Sequence, residues 1–516
     1  MRILGRVERL LGLSNPVFPM SYSRLFPGLL AFATIALSAV AATSKEPSAP
    51  SRPNIVFIMA DDLGYGDLGS YGHPRIKTPH LDQLAVDGTR FTQYYSHAVC
   101  SPSRVSLLTG QHPARWQIYA PIVWLSQNAK QNMPDWLDLR APALPRVLQQ
   151  AGYRTALFGK WHLGGGSGRK FTGKDINSEN APLPTAYGYD ETRTYVGNGP
   201  GWRGTTPVAK PHEIYVVEDN EFVRWSSKVI ADEAINFLDR RKKEHNQPFL
   251  LQVHFHDPHV PLRPTEEMQK PYADISDPGV RAYYSVITDL DDNIGRILSR
   301  LDQLGLRENT LVLFTSDNGT PARQGGRDTG KRPNENDTAG SNGALRGWKW
   351  HLYEGGIRVP FIARWPGVVA RSKTDTSSVL NVSDLAPTFA RLAGARMPEG
   401  HIYEGVDIKD ALMGRPFVRH QPMYWYLPVS DRRGPPIAVR DGNWKLLMEP
   451  DGTNAELFDL SSDPSEQRNL AVQEPAVLDR LQAQTRKWLA ALPRPLDRVA
   501  ESPGKNPYRN YVPAQP

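Results

Sequence analysis

The chain has 516 residues, 40% of them hydrophobic and 22% charged, which is the composition of a globular protein and not of a disordered or fibrous one. The formal charge is +7 with no basic block, so nucleic acid is not an expected partner. One cysteine, Cys100, excludes an intrachain disulfide.

Taken in chain order, Arg24 precedes the apolar stretch "LFPGLLAFATIALSAV", and the small residues Ala39–Ala41 suit a cleavage site. Residues 1–44 read as an export signal and leader, with Met1 and Met20 both open as the start. The apolar run is short for a span, so membrane contact is expected only through an uncleaved leader. Cleavage near Ala41 would place the protein in the periplasm or outside the cell. "NIVFIMADDLGYGD" is an apolar strand, Asn54–Ala60, that stops at Asp61 and Asp62. "TPHLDQLAVDG" predicts a helix with Thr78 as N-cap, Pro79 in the first position and Gly88 as the stop. In "AVCSPSRVSLLTG", Ser101-Pro102 opens a helix. Cys100 then sits near its N-terminus, with Arg104 one turn on and on the same face. "ALPRVLQQAG" is a further short helix leading into "YRTALFGKWHLGG", and "PFLLQVHFHDPH" is a buried strand ending in histidines. An apolar stripe predicts a helix from Ile287 to Leu304, closed by Gly305, and "TLVLFTSDNG" is a strand ending at Asp317.

Strands alternating with helices imply an α/β fold over residues 45–414, a large mostly parallel sheet sandwiched by helices. Ligands in such sheets sit beyond the carboxyl ends of the strands. Three polar stretches, roughly 116–140, 164–210 and 320–342, interrupt the pattern and are candidates for a substrate pocket. After Gly414, short strands with Asp-Gly and Asp-Pro turns predict a smaller C-terminal antiparallel-sheet subdomain over 415–492. It closes with a helix through Leu478–Leu492, and 493–516 is a tail.

Asp61 and Asp62 follow one strand, and Asp317 and Asn318 follow another. Brought together, three carboxylates would repel unless a cation lay between them, and an all-oxygen donor set suits calcium or magnesium over zinc. Simple turn chemistry is the competing reading of these residues. At Cys100, the helix N-terminus and Arg104 both favour negative charge. A thiolate nucleophile would need a histidine partner, and His97 lies on a different element; otherwise a lone cysteine is a small buried filler. Lys160 and His162 alternate at one strand end, His256 and His259 lie at another, and Lys349 and His351 lie close in sequence. Such a set facing a carboxylate cluster points to a tetrahedral phosphate or sulfate ester.

"CSPSRVSLLTG" resembles the signature of the type I sulfatases, Cys-x-Pro-Ser-Arg followed by Leu-Thr-Gly. "NIVFIMADDLGYGDLGSYG", "FGKWHLG", "TSDNG", "LYEGGIRVPFIARWPG" and "ELFDLSSDPSEQRNL" are similar to family segments in the family's order, most closely in the arylsulfatase A and N-acetylgalactosamine-6-sulfatase branch. The resemblance implies the alkaline-phosphatase-like fold. It implies that a maturation enzyme oxidises Cys100 to formylglycine. Asp61, Asp62, Asp317, Asn318 and the modified Cys100 would then bind calcium, with magnesium as the alternative. Arg104 would hold the formylglycine hydrate, His162 would contact it as a base, and Lys160 and Lys349 would grip the sulfate. The family pattern His-x-Pro selects His259 over His256 as the acid for the leaving group, with both lining the pocket. One hydroxyl of the hydrate would attack sulfur, and the second would expel sulfate from the resulting sulfo-enzyme. The branch implies a sulfated sugar as substrate, and Trp116, Trp124 and Trp202 suit either sugar stacking or packing. Two other readings are a phosphonate or phosphate monoesterase of the same fold, and a sulfated-glycan binder whose Cys100 is never converted.

Overall fold

A computed structural model of the chain describes residues 52–123, 125–164, 181–195, 226–243, 247–322 and 339–493. The expected leader, Trp124, Trp202, most of 164–210 and 320–342, and all but the first residue of the tail lie outside the described residues. Among the described residues, ten strands precede the C-terminal region: β1 (Asn54–Ala60), β2 (Thr89–Phe91), β3 (Tyr94–Tyr95), β4 (Arg154–Lys160), β5 (Glu191–Tyr195), β6 (Phe249–His254), β7 (Thr310–Ser316), β8 (Phe361–Arg364), β9 (Lys373–Asp375) and β10 (Leu380–Asn381). β3 and β10 form a small parallel pair, and the other eight make the main sheet in the order β5-β4-β6-β1-β7-β8-β2-β9. β8 runs antiparallel to both neighbours, and the rest of the sheet shares one direction. The expected mostly parallel sheet is present.

β1 shows why the sheet is buried on both sides. Every residue of Asn54–Ala60 is buried. Val56, Ile58 and Ala60 face one apolar cluster with Ile287, Leu290 and Ile294, and Ile55, Phe57 and Met59 face a second with Leu144, Leu148 and Phe389. Alternate side chains of one strand therefore join two cores, each covered by helices. Each large side chain buried this way contributes about 1.5–3 kcal/mol.

Two helices differ from the sequence expectation. The helix expected from Ile287 starts at Pro278 and ends at Gln303. Asp277 caps it, accepting from Gly279 N and Val280 N, so an N-cap aspartate and a first-turn proline set its start ahead of the apolar stripe. The last helix spans Pro475–Ala490 and again opens on a proline. Trp116 is not a surface platform. It is 2% exposed, packs with Val105 and Leu108, and its indole donates to Gln111 Oε1.

The C-terminal strands β11 (Met423–Tyr426), β12 (Ile437–Asp441), β13 (Trp444–Met448) and β14 (Glu456–Asp459) form an antiparallel sheet in sequential order. One face packs under the Pro475–Ala490 helix through Leu481 and Trp488. The other shares an apolar cluster with Tyr95, Ala98, Leu352 and Ile357 of the main body. Among the described residues no helix is long and apolar enough to cross a membrane.

Candidate active site

β4, β6, β1 and β7 are adjacent and parallel, so their carboxyl ends open on one edge. Lys160 is the last residue of β4, His254 the last of β6, Asp61 and Asp62 follow β1, and Asp317 and Asn318 follow β7. The Cys100–Thr109 helix points its N-terminus at the same edge, where Cys100 Sγ lies 3.7 Å from Asp61 Oδ1. A strand-end address thus brings residues from five separate stretches of chain together.

The carboxylates do not meet one another bare. Lys160 Nζ is 2.5 Å from Asp61 Oδ2, Arg104 Nη2 is 2.7 Å from Asp317 Oδ2, and Lys349 Nζ is 2.6 Å from Asp62 Oδ1. Asn318 Nδ2 donates to Asp62 Oδ1 at 2.7 Å, and Asp62 N donates to Asp317 Oδ1 at 3.2 Å. Three buried acids are therefore interleaved with three cationic side chains, which is how so much charge is kept out of water.

The electrostatics follow from that interleaving. Burial opposes charge on Asp61, yet Lys160, with His259, Arg104 and Lys349, holds its carboxyl well below the usual range. Burial, with the charge of Asp61, pushes Asp317 up to about 6 against the pull of Arg104. Burial disfavours the Lys349 ammonium, but Asp62 beneath it keeps its pKa above the ordinary lysine value. Burial pushes the Cys100 thiol up to about 12. At neutral pH that group is a protonated thiol, which argues against the thiolate nucleophile.

The histidines divide into two groups. His259 Nδ1 faces Val260 O at 2.6 Å, and its Nε2 lies 3.6 Å from Asp62 Oδ2. His256 stands 5.4 Å from the His259 ring, and His162 lies beyond the end of β4. Both rings are buried with neither nitrogen hydrogen-bonded among the described residues. Burial holds both well below the usual histidine value, so both are neutral. Ser101 Oγ donates to His162 O at 2.7 Å, fixing a residue whose φ is +56°. Asp62 and Trp350 also have positive φ, at +69° and +75°. Left-handed non-glycine residues cost of order 1–3 kcal/mol each and cluster at functional sites.

Sequence reasoning missed His254. Its Nδ1 lies 3.2 Å from Arg104 Nη1 and 3.1 Å from Lys160 O, so it sits against the arginine. The signal was available, since Gln252, His254 and His256 alternate along one strand direction. His97 does not serve Cys100. Its Nε2 contacts Ser106 Oγ at 2.8 Å, and burial lowers its pKa to about 3. An unfolded histidine titrates near 6.5, so this neutral ring contributes stability that is complete above about pH 6.5 and is lost as pH falls toward about 3. Wild type is expected to lose about 2 kcal/mol more than His97→Gln between pH 7.5 and 5. Parallel denaturation curves at the two pH values check this, and equal losses would refute it.

Asp61, Asp62 and Asn318 offer oxygen donors of the kind that a hard divalent cation takes. Ligand atoms of Asp61, Asp62, Cys100 and His259 all lie within 4.8 Å of one another. The buried Asn318 Oδ1 has no hydrogen-bond partner among the described residues. Asp317 is adjacent, with its two oxygens turned to Arg104 and Asp62 N.

The chain is similar to known proteins over most of its length. A family profile described as Sulfatase matches residues 53–395, and one described as N-sulphoglucosamine sulphohydrolase, C-terminal, matches 346–493. The chain is 31% identical to an N-acetylgalactosamine-6-O-sulfatase of Bacteroides thetaiotaomicron, over 83% of this chain and 92% of that one. It is 31% identical to arylsulfatase A of Homo sapiens, over 81% and 83%. Among solved structures it is similar to Ps i-CgsB in complex with k-i-k-neocarrahexaose, with a TM-score of 0.68, 26% identity and coverage of 84% and 92%.

Proposed function

The chain belongs to the sulfatase family and is an enzyme of that type, and from this premise we propose that it removes sulfate from a sulfated carbohydrate. The observation that carries the reading is the convergence of Asp61, Asp62, Asp317, Arg104, Lys160 and Lys349 around Cys100 at one sheet edge. The sugar reading is supported by a relative named for N-acetylgalactosamine-6-O-sulfate chemistry and by a structural neighbour bound to an oligosaccharide.

Asp61, Asp62, Asn318 and the Cys100 position, with Asp317 behind them, would hold a calcium ion. When bound, that ion supplies a Lewis acid for sulfate oxygens and for the nucleophile. Converted to formylglycine, Cys100 supplies a hydrated aldehyde, whose two hydroxyls serve in turn to attack sulfur and to release sulfate. Lys160 and Lys349 supply positive charge on two sides of the cluster and oppose charge developing on the sulfuryl oxygens. Arg104, buried beneath, keeps Asp317 and Asp61 from repelling and orients the nucleophile position. His259 is suited to protonate the departing alcohol. Val260 O holds the proton on Nδ1, so Nε2 is the atom that gains or gives one. His162, with both ring nitrogens free of hydrogen bonds among the described residues, would take the proton of the second hydroxyl.

Purified from a host able to convert Cys100, the enzyme is expected to turn over nitrophenyl sulfate faster than nitrophenyl phosphate or phenylphosphonate. It is expected to release sulfate from a panel of sulfated mono- and oligosaccharides. Dialysis against a calcium chelator should abolish both activities, and calcium should restore them. Preference for the phosphonate would move the assignment to a monoesterase of the same fold.

A further inference from the structure

Lys349 sits on a loop that runs from residue 342 into the short helix Glu354–Ile357, and the C-terminal sheet grips this segment from both ends. At the near end, Arg346 Nη1 donates to Glu456 Oε2 at 2.9 Å and to Glu466 O at 3.1 Å, and its guanidinium lies 3.8 Å over the Tyr353 ring. Tyr353 OH donates to the other oxygen of Glu456. At the far end, Glu354 N donates to Glu466 Oε2 at 2.7 Å, and Lys445 Nζ lies 2.9 Å from Glu354 Oε1 and 2.8 Å from Glu466 Oε1, all three side chains being buried. In between, Trp350 holds its φ of +75° while its N donates to Ala98 O and its O accepts from Arg433 N, each at 3.0 Å. Ala98 is two residues ahead of Cys100, and Arg433 belongs to the C-terminal region. The turn carrying Lys349 is thus registered against Cys100 on one side and the C-terminal sheet on the other.

We propose that Arg346 is a positioning residue for the reaction: by clamping this loop to Glu456 and Glu466, it holds Lys349 at the Asp62 end of the acid cluster. The inference rests on the sulfatase reading for the role of Lys349. It makes the C-terminal sheet part of the catalytic apparatus, acting through a lysine that lies outside it. Arg346 is the useful handle, because its side chain is 38% exposed and its loss leaves the buried Lys445 pairs intact.

The test is a double-mutant cycle on the full chain with nitrophenyl sulfate. Arg346→Met is expected to lower kcat about tenfold with little change in KM, within the range produced by a displaced catalytic group. In a Lys349→Ala background the same change should cost less than twofold. Arg346→Lys, which keeps a cation facing Glu456, should recover part of the loss. Binding of inorganic sulfate, read by calorimetry, should weaken in Arg346→Met, whereas adding Arg346→Met to Lys349→Ala should weaken it no further. Equal fold-losses in both backgrounds would overturn the clamp and leave Arg346 a merely structural residue. A wild type with no turnover would instead sink the sulfatase reading, and the clamp would then stand or fall on the sulfate-binding cycle.

Discussion

Cys100→Ala is expected to give a folded protein whose turnover of a sulfate ester falls by on the order of 10⁶, the scale of loss when a covalent nucleophile is removed. The two halves of that expectation have separate causes. The side chain is wholly buried, but burial keeps it a neutral thiol, and its one hydrogen-bond contact among the described residues is a long one of 3.7 Å to Asp61. Removing it takes no charge from the cluster and leaves a cavity of one sulfur atom, worth about 1 kcal/mol. Chemistry has no such reserve. His259, Lys160, Lys349 and Arg104 can bind and polarise an ester, but none is placed as a nucleophile, since each faces an acid of the cluster. Cys100→Ser should be nearly as inactive unless the maturation system accepts serine. Mass spectrometry of the Cys100 peptide from active wild type should show the aldehyde in place of the thiol. Full activity with an unmodified thiol would overturn the mechanism.

The strand-end placement of the chemistry was legible in the sequence because it is local. An apolar run such as Asn54–Ala60 can only be a strand or a buried helix turn, and two aspartates directly after it must lie at its end. The same logic placed Lys160 and Asp317, and Pro102 with the preceding serine was enough to start a helix near Cys100. The pairing of charges was not legible. Lys160 with Asp61 spans 99 residues, Lys349 with Asp62 spans 287, and nothing local marks either partner. Repulsion among the acids was foreseen with a metal as the remedy, whereas the chain also supplies a basic side chain to each acid. Backbone exceptions were at most weakly signalled: aspartate and histidine are enriched in the left-handed region that Asp62 and His162 adopt, but Trp350 carries no such preference. Trp116 stayed open between two readings for a related reason, since an indole suits a sugar platform and a core equally well until its neighbours are known.

Arg104→Met is expected to damage both stability and rate. The guanidinium is 1% exposed and ties Asp317 at 2.7 Å, Lys160 O at 3.0 Å and Asp61 at 3.9 Å. Removing one partner of a buried pair strands the other, which typically costs about 3–5 kcal/mol. Loss of its charge beside the reacting centre should lower kcat by a further factor of roughly 10²–10³. The pH dependence separates this from loss of packing. Asp317 already sits above its unfolded value, at about 6, because burial and Asp61 oppose its charge. A carboxyl raised in the folded state favours folding when protonated, so its contribution is fullest below about pH 4 and is lost as pH rises through its folded pKa. Without Arg104 that folded pKa moves higher still, and the penalty grows over a wider range. The stability deficit of Arg104→Met, measured by denaturant unfolding with chelator present so that only side chains titrate, should therefore be smaller at pH 5 than at pH 7.5. A deficit independent of pH would mean that Arg104 acts there by filling space. Arg104→Lys should fall between, because an ammonium keeps the charge but cannot bridge Asp317 and the Lys160 carbonyl at once.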